Sequence, residues 1–300
     1  MHRLRRLLPV WLVLAGIWVR PCIVRGQSSA PIERSPVSLH TSLHPAACGE
    51  SMREASVKAA LRRVCLREHG GSGSINARNA IVIGFVGGFV RRDDVHHPEV
   101  QFAEYLRQTY PSIVHAEVFA NHEGKRAVRR VVQLLDTNGD GVLAPSEKEQ
   151  ASIIIYGHSW GASLAITLAH ELEGLDIPVL LTIQVDSVHK PGHEDAVIPS
   201  NVRSAVNFYQ TKGVIHGRPH VRASDPQRTT IIGNFQMTYE DRRINCDNYP
   251  WIARHLNKPH HEIENDPLVW EQIASMIDSE LSKKTAAVEA PVTSTSLDVR

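Results

Sequence analysis

The residues best equipped for chemistry are Gly157-His158-Ser159-Trp160-Gly161. Glycine two places either side of a serine suits a tight strand-to-helix turn, because bulk at Gly157 or Gly161 would collide with neighbouring backbone. The β-branched run at 153–155 has the character of a buried strand. The apolar periodicity over 162–175 is that of a helix. Such a turn holds the Ser159 hydroxyl clear of the sheet at a helix N-terminus, where it can act as a nucleophile.

A serine alone is a poor nucleophile and needs a base, an acid that orients the base, and donors for the developing oxyanion. Around G-x-S-x-G the expected order is serine, acid, histidine, with the groups at the C-terminal ends of strands. Asp186 ends the apolar run 179–185, one strand-helix unit after Ser159. Asp195 and Asp225 are rivals in later loops. Asp225 keeps weight because the acid more often follows the strand after next, and 205–209 could be that strand. Of 17 histidines, most, including His96, His97, His189, His193, His216 and His220, lie in polar loops and read as solvated. The base is expected from the stretch Lys258-Pro259-His260-His261-Glu262-Ile263, read as a loop ahead of the closing helix. His260 is favoured because an apolar residue, Ile263, follows it at the third position; His261 is the alternative. The glycines of Gly84-Phe85-Val86-Gly87-Gly88 let backbone N–H groups turn inward, and the donors expected are the amides of Phe85 and Trp160. No G-x-G-x-x-G or Walker lysine accompanies them, so a nucleotide is not expected. No H-E-x-x-H motif points to a metal-dependent hydrolase.

The Gly-His-Ser-Trp-Gly turn, the Gly-Phe-Val-Gly-Gly loop and the late His-x-x-Ile together resemble the α/β-hydrolase family, on its lipase and esterase side, over residues 78–282. The resemblance implies acyl transfer to water. Ser159 attacks a carbonyl, His260 takes and returns the proton, Asp186 orients the imidazole, and two amides hold the oxyanion. The expected activity is that of a serine esterase acting on a small-molecule ester, thioester or amide.

A second motif lies just upstream. Asp136-Thr137-Asn138-Gly139-Asp140-Gly141-Val142-Leu143-Ala144-Pro145-Ser146-Glu147 fits the twelve-residue EF-hand loop. Asp136, Asn138 and Asp140 supply oxygens at positions one, three and five, and Gly141 allows the turn at six. Val142 offers its carbonyl, and Glu147 can close the site with both carboxylate oxygens. Only five residues separate this loop from the catalytic strand, and no second loop pairs with it. A structural calcium ion is therefore expected rather than a sensor. The alternative function is a calcium-binding module on a hydrolase scaffold that has lost catalysis.

Positioning these groups calls for strands at 80–85, 113–119, 153–156, 179–185, 205–209 and 229–235. Helices are expected near 98–106 and over 125–135, 162–175 and 268–281. Alternation of this kind predicts an α/β fold with a mostly parallel sheet covered by helices on both faces. A capping box at Ser51 to Glu54 and an apolar stripe predict a further helix over 51–67. Residues 1–26 have the layout of a secretory signal, with Arg3, Arg5 and Arg6 ahead of an apolar core too short to span a bilayer comfortably. The chain is thus expected to be secreted or periplasmic, or membrane-anchored if the signal is retained. Residues 27–47 read as a linker, 48–282 as the hydrolase domain and 283–300 as a disordered tail. Signal removal leaves Cys48, Cys65 and Cys246, an odd number that allows one disulfide at most. With Lys+Arg 33 against Asp+Glu 32, nothing in the charge balance suggests nucleic acid.

Overall fold

The structure, a computed structural model, describes residues 80–247, 249 and 251–289. The expected signal, linker, helix over 51–67, Cys48 and Cys65 lie outside the described residues; Cys246 is buried. Among the described residues, eight strands and six helices follow in chain order: β1 (Ala80–Val86), α1 (Pro98–Thr109), β2 (Val114–Ala120), α2 (Gly124–Leu135), α3 (Pro145–Glu149), β3 (Ile153–His158), α4 (Trp160–Glu173), β4 (Val179–Val185), β5 (Val197–Ile198), β6 (Val202–Tyr209), β7 (Arg222–Ala223), β8 (Thr230–Gln236), α5 (Trp251–Glu264) and α6 (Pro267–Glu289).

Six strands form one sheet in the order β2-β1-β3-β4-β6-β8, and every neighbouring pair is parallel. The fold is therefore α/β, as the alternation of elements predicts. Side chains alternate faces along a strand, and both faces are covered, which is why β1 and residues 153–156 of β3 carry no charged side chain. Val82, Ile154 and Tyr156 join Phe102 and Leu106 of α1 and Trp270, Ile273 and Ile277 of α6 in one buried cluster. Ile81, Ile83, Phe85, Ile153 and Ile155 join Val131 of α2 and Leu164 and Leu168 of α4 in the other.

The chain leaves β1 for β2 on one side and returns to β3 on the other. That reversal opens a crevice at the carboxyl ends of β1 and β3, where parallel sheets bind ligands. The turn after β1 and the serine after β3 meet there.

Two elements differ from expectation. Residues 251–264 are helical, with a kink at Asn257 (φ −131°, ψ 28°) just ahead of Pro259. Proline breaks the helix before it but suits the first turn of the helix after it, so His260 lies on a short helical segment rather than in a loop. The first half also turns Trp251, Ile252 and Leu256 to solvent, which hides the usual apolar stripe. The closing helix begins at Pro267 and runs to Glu289, eight residues past Leu281, into the stretch expected as a tail.

Candidate active site

Ser159 sits between β3 and α4 with φ 57° and ψ −126°, a backbone conformation that L residues rarely adopt. Holding a non-glycine residue there costs about 1–3 kcal/mol, which the packed surroundings must offset. The flanking glycines explain how the turn closes. A Cβ on Gly157 would lie 2.5 Å from the carbonyl carbon of Gly161, and one on Gly161 would run into the carbonyl oxygens of Phe85 and Val86. The Ser159 amide donates to Val185 O at 3.0 Å, tying the turn to the end of β4.

Three side chains predicted separately meet here. Ser159 Oγ is 3.0 Å from His260 Nε2, and His260 Nδ1 is 2.6 Å from Asp186 Oδ2. All three are nearly or fully buried. The carboxylate can only accept, so it fixes the imidazole proton on Nδ1 and leaves Nε2 free to accept from the serine. Asp186 also accepts from Gln210 N (3.1 Å), Gln210 Nε2 (2.8 Å) and Gly217 N (2.7 Å). A Cβ at Gly217 would stand 2.5 Å from Asp186 Oδ1, so a residue without a side chain lets that amide approach.

The rivals lie elsewhere. Asp225 accepts from Gln227 N ahead of β8, at the amino end of the sheet. Asp195 is fully buried against Arg218 and Ser187. The His261 ring stacks on Tyr249 at 3.8 Å between centroids, with its Nδ1 3.8 Å from Glu264.

For the oxyanion, Trp160 is the first residue of α4, where a backbone N–H has no intrahelical acceptor. Phe85 is placed differently from the expectation. The strand continues to Val86, and Phe85 is paired with Phe119 on one side and Gly157 on the other, so its amide lies within the ladder. The turn one step later is the part that reaches the serine: a Cβ on Gly87 would be 2.9 Å from Ser159 Cβ.

Sequence reasoning missed the surroundings of the base. His158 is buried beside His260, with ring centroids 4.6 Å apart. Burial opposes its charge, yet Glu264 and Glu99 outweigh that cost and push its pKa up to about 9. For His260, burial and then the neighbouring His158 cation lower the pKa, against the pull of Asp186. His97, expected to be solvated, is instead only 15% exposed and donates through Nδ1 to Glu264 Oε1 at 2.6 Å.

Beside the nucleophile an open cleft of about 660 Å³ is bounded by Phe89 and Trp160, with Arg91, Arg92, Asn121 and Lys190 among its walls. The Phe89 and Trp160 rings meet edge to face at 5.8 Å. Among the described residues no helix is long and apolar enough to cross a membrane.

No family model matches the chain, and no curated protein does. Solved structures do resemble it. A cutinase-like protein from Cryptococcus sp. is 13% identical, with 70% of this chain and 98% of that one covered and a TM-score of 0.36. A hyperthermophilic esterase from the archaeon Pyrobaculum calidifontis is 12% identical over 79% and 92% of the two chains, with a TM-score of 0.36. A cutinase from Trichoderma reesei is 12% identical over 78% and 89%, with a TM-score of 0.29. At such identities the chemistry is read from this chain's own side chains.

The loop at 136–147 lies at the other end of β3. Gly139 and Gly141 have φ 71° and 79°, and Asp136 accepts from both of their amides at 2.9 Å. Glu147 accepts from Thr137 N and Oγ1 at 2.7 Å and from Ala144 N at 3.0 Å. Both Asp136 oxygens and Glu147 Oε2 accept one such bond each and retain a second lone pair, whereas Glu147 Oε1 accepts two; Asn138 and Asp140 turn into the same loop. This all-oxygen donor set fits a hard cation such as calcium.

Proposed function

We propose that this protein is a serine hydrolase of the α/β-hydrolase type that cleaves carboxylic esters through an acyl-enzyme. The observation that carries this reading is the continuous relay Ser159 Oγ–His260 Nε2 at 3.0 Å and His260 Nδ1–Asp186 Oδ2 at 2.6 Å. His260 takes the serine proton as Ser159 attacks the carbonyl carbon, and Asp186 stabilises the imidazolium that forms. The Trp160 amide and an amide of the Gly87-Gly88 turn receive the oxyanion. His260 then passes the proton to the leaving group, and water repeats the cycle to free the acid. Thioesters and amides share this route. The basic and polar walls of the cleft favour a soluble, short-chain substrate over a lipid.

Two parts of the reading rest on sequence. Calcium held by Asp136, Asn138, Asp140, the Val142 carbonyl and Glu147 braces the entry to β3, and residues 1–26 direct the chain out of the cytoplasm. The decisive experiment is covalent labelling with a fluorophosphonate probe, alongside turnover of p-nitrophenyl esters of increasing acyl length. Wild type labels and hydrolyses short esters; Ser159→Ala does neither. A native, folded protein that never labels would instead be the inactive calcium-binding module.

A further inference from the structure

Next to the His260 ring, and unused by the triad, four ionisable side chains from three segments converge. A ring nitrogen of His97, just before α1, lies within 4.8 Å of carboxylate oxygens of Glu99 in α1 and Glu264 at the end of α5. His158 Nδ1, one residue before the nucleophile, is 3.5 Å from Glu99 Oε1 and 3.6 Å from Glu264 Oε2. Glu99 is completely buried, and neither of its carboxylate oxygens accepts a hydrogen bond among the described residues. A carboxylate removed from water without hydrogen-bond donors is costly; the His158 ring 3.5 Å away offsets part of that cost, and a metal cation in direct contact would offset more.

We propose that His97, Glu99 and Glu264, with His158 Nδ1 as the fourth donor, bind one divalent transition cation of the zinc class. Tetrahedral zinc with bonds of about 2.0–2.2 Å sets its donors roughly 3.3 Å apart. Two of the observed separations, 3.5 and 3.6 Å, are close to that edge. The 2.6 Å contact between His97 Nδ1 and Glu264 Oε1 is the one that must open to admit the ion. Two imidazoles and two carboxylates select zinc, cobalt or nickel over calcium and magnesium, which take oxygen alone. His97, partly exposed, marks the way in. Bound there, the ion ties the helix that carries His260 to the first turn of α1 and to the strand end ahead of Ser159.

The test uses the untagged full chain, stripped with 1,10-phenanthroline, re-equilibrated with zinc sulfate and desalted. Elemental analysis is expected to find about one tightly held zinc per chain. Cobalt in its place gives the visible absorption of a four-coordinate site, and zinc raises the melting temperature. Glu99→Gln and His97→Gln lose the ion and the cobalt spectrum. The second lies at a partly exposed position, which guards against a folding defect in the first. The proposal is overturned if stripped wild type retains no zinc after desalting, or if both variants hold as much as wild type with the same cobalt spectrum. Fluorophosphonate labelling of Ser159 is scored separately, so this site and the hydrolytic reading can fail independently.

Discussion

Replacing Gly217 with alanine tests how firmly Asp186 must be held. The new methyl group would stand 2.5 Å from Asp186 Oδ1, so the carboxylate has to move and the imidazole with it. Displacement of about 1 Å in a reacting group lowers turnover about 10²-fold, and kcat should fall by that order while ester binding persists. Unchanged kcat would mean that the amide of Gly217 does not orient the acid. A second test concerns pH. His260 acts as a base only when neutral, and burial together with the His158 cation lowers its pKa. In metal-free protein kcat/KM should therefore rise through a pKa below the ordinary value of about 6.5 and stay level above it. His158→Gln removes the cation, so the acidic limb should move to higher pH; a limb that stays in place or moves lower rules out this coupling.

Among the elements, the loop at 136–147 makes the clearest prediction. With calcium about 20-fold above its dissociation constant, binding adds about 1.8 kcal/mol, or about 4–7 °C in melting temperature for a domain of this size. A calorimetric scan with and without chelator reads that shift, and Glu147→Gln should abolish it. Indifference of wild type to chelator would remove calcium from the account. The elements that could be read from sequence are those with strong periodicity or unbroken apolar character. The run at 179–185 is legible to the residue, because a strand buried on both faces is mostly apolar along its length, here with only Thr182 and Gln184 as exceptions. The helix at Trp251–Glu264 was not legible: a mid-segment proline and outward-facing Trp251, Ile252 and Leu256 remove both signals that normally mark one. Ser159 and Asp186 could be singled out because each follows a recognisable strand, and His260 because it lies just ahead of the recognisable closing helix. Partners such as Glu99, Glu264 and His97 could not, since only the folding of α1 against α5 brings them to His158, and local sequence carries no trace of that meeting.

In the molecule as a whole, the two rims of the sheet do different work. Ser159 and Asp186 follow the carboxyl ends of β3 and β4, whereas the acidic loop enters β3 from its amino end, a strand length of about 20 Å away. On the proposed reading, calcium in that loop would stiffen the scaffold without touching a substrate. The neighbouring carboxyl ends of β4 and β6 carry a further consequence. Gln210, the first residue beyond β6, already places its amide 2.8 Å from the oxygen that meets His260. Asp186→Asn should lower kcat about 10⁴-fold, since the imidazole loses its anion. Adding Gln210→Glu puts a carboxylate back within reach from the adjacent strand, and part of that loss should return; a double variant no faster than Asp186→Asn would show the geometry to be less forgiving. The anion that steers the imidazole is, on this view, a portable fixture, one that two neighbouring strands could trade across generations while the hydroxyl and the ring stay where they are.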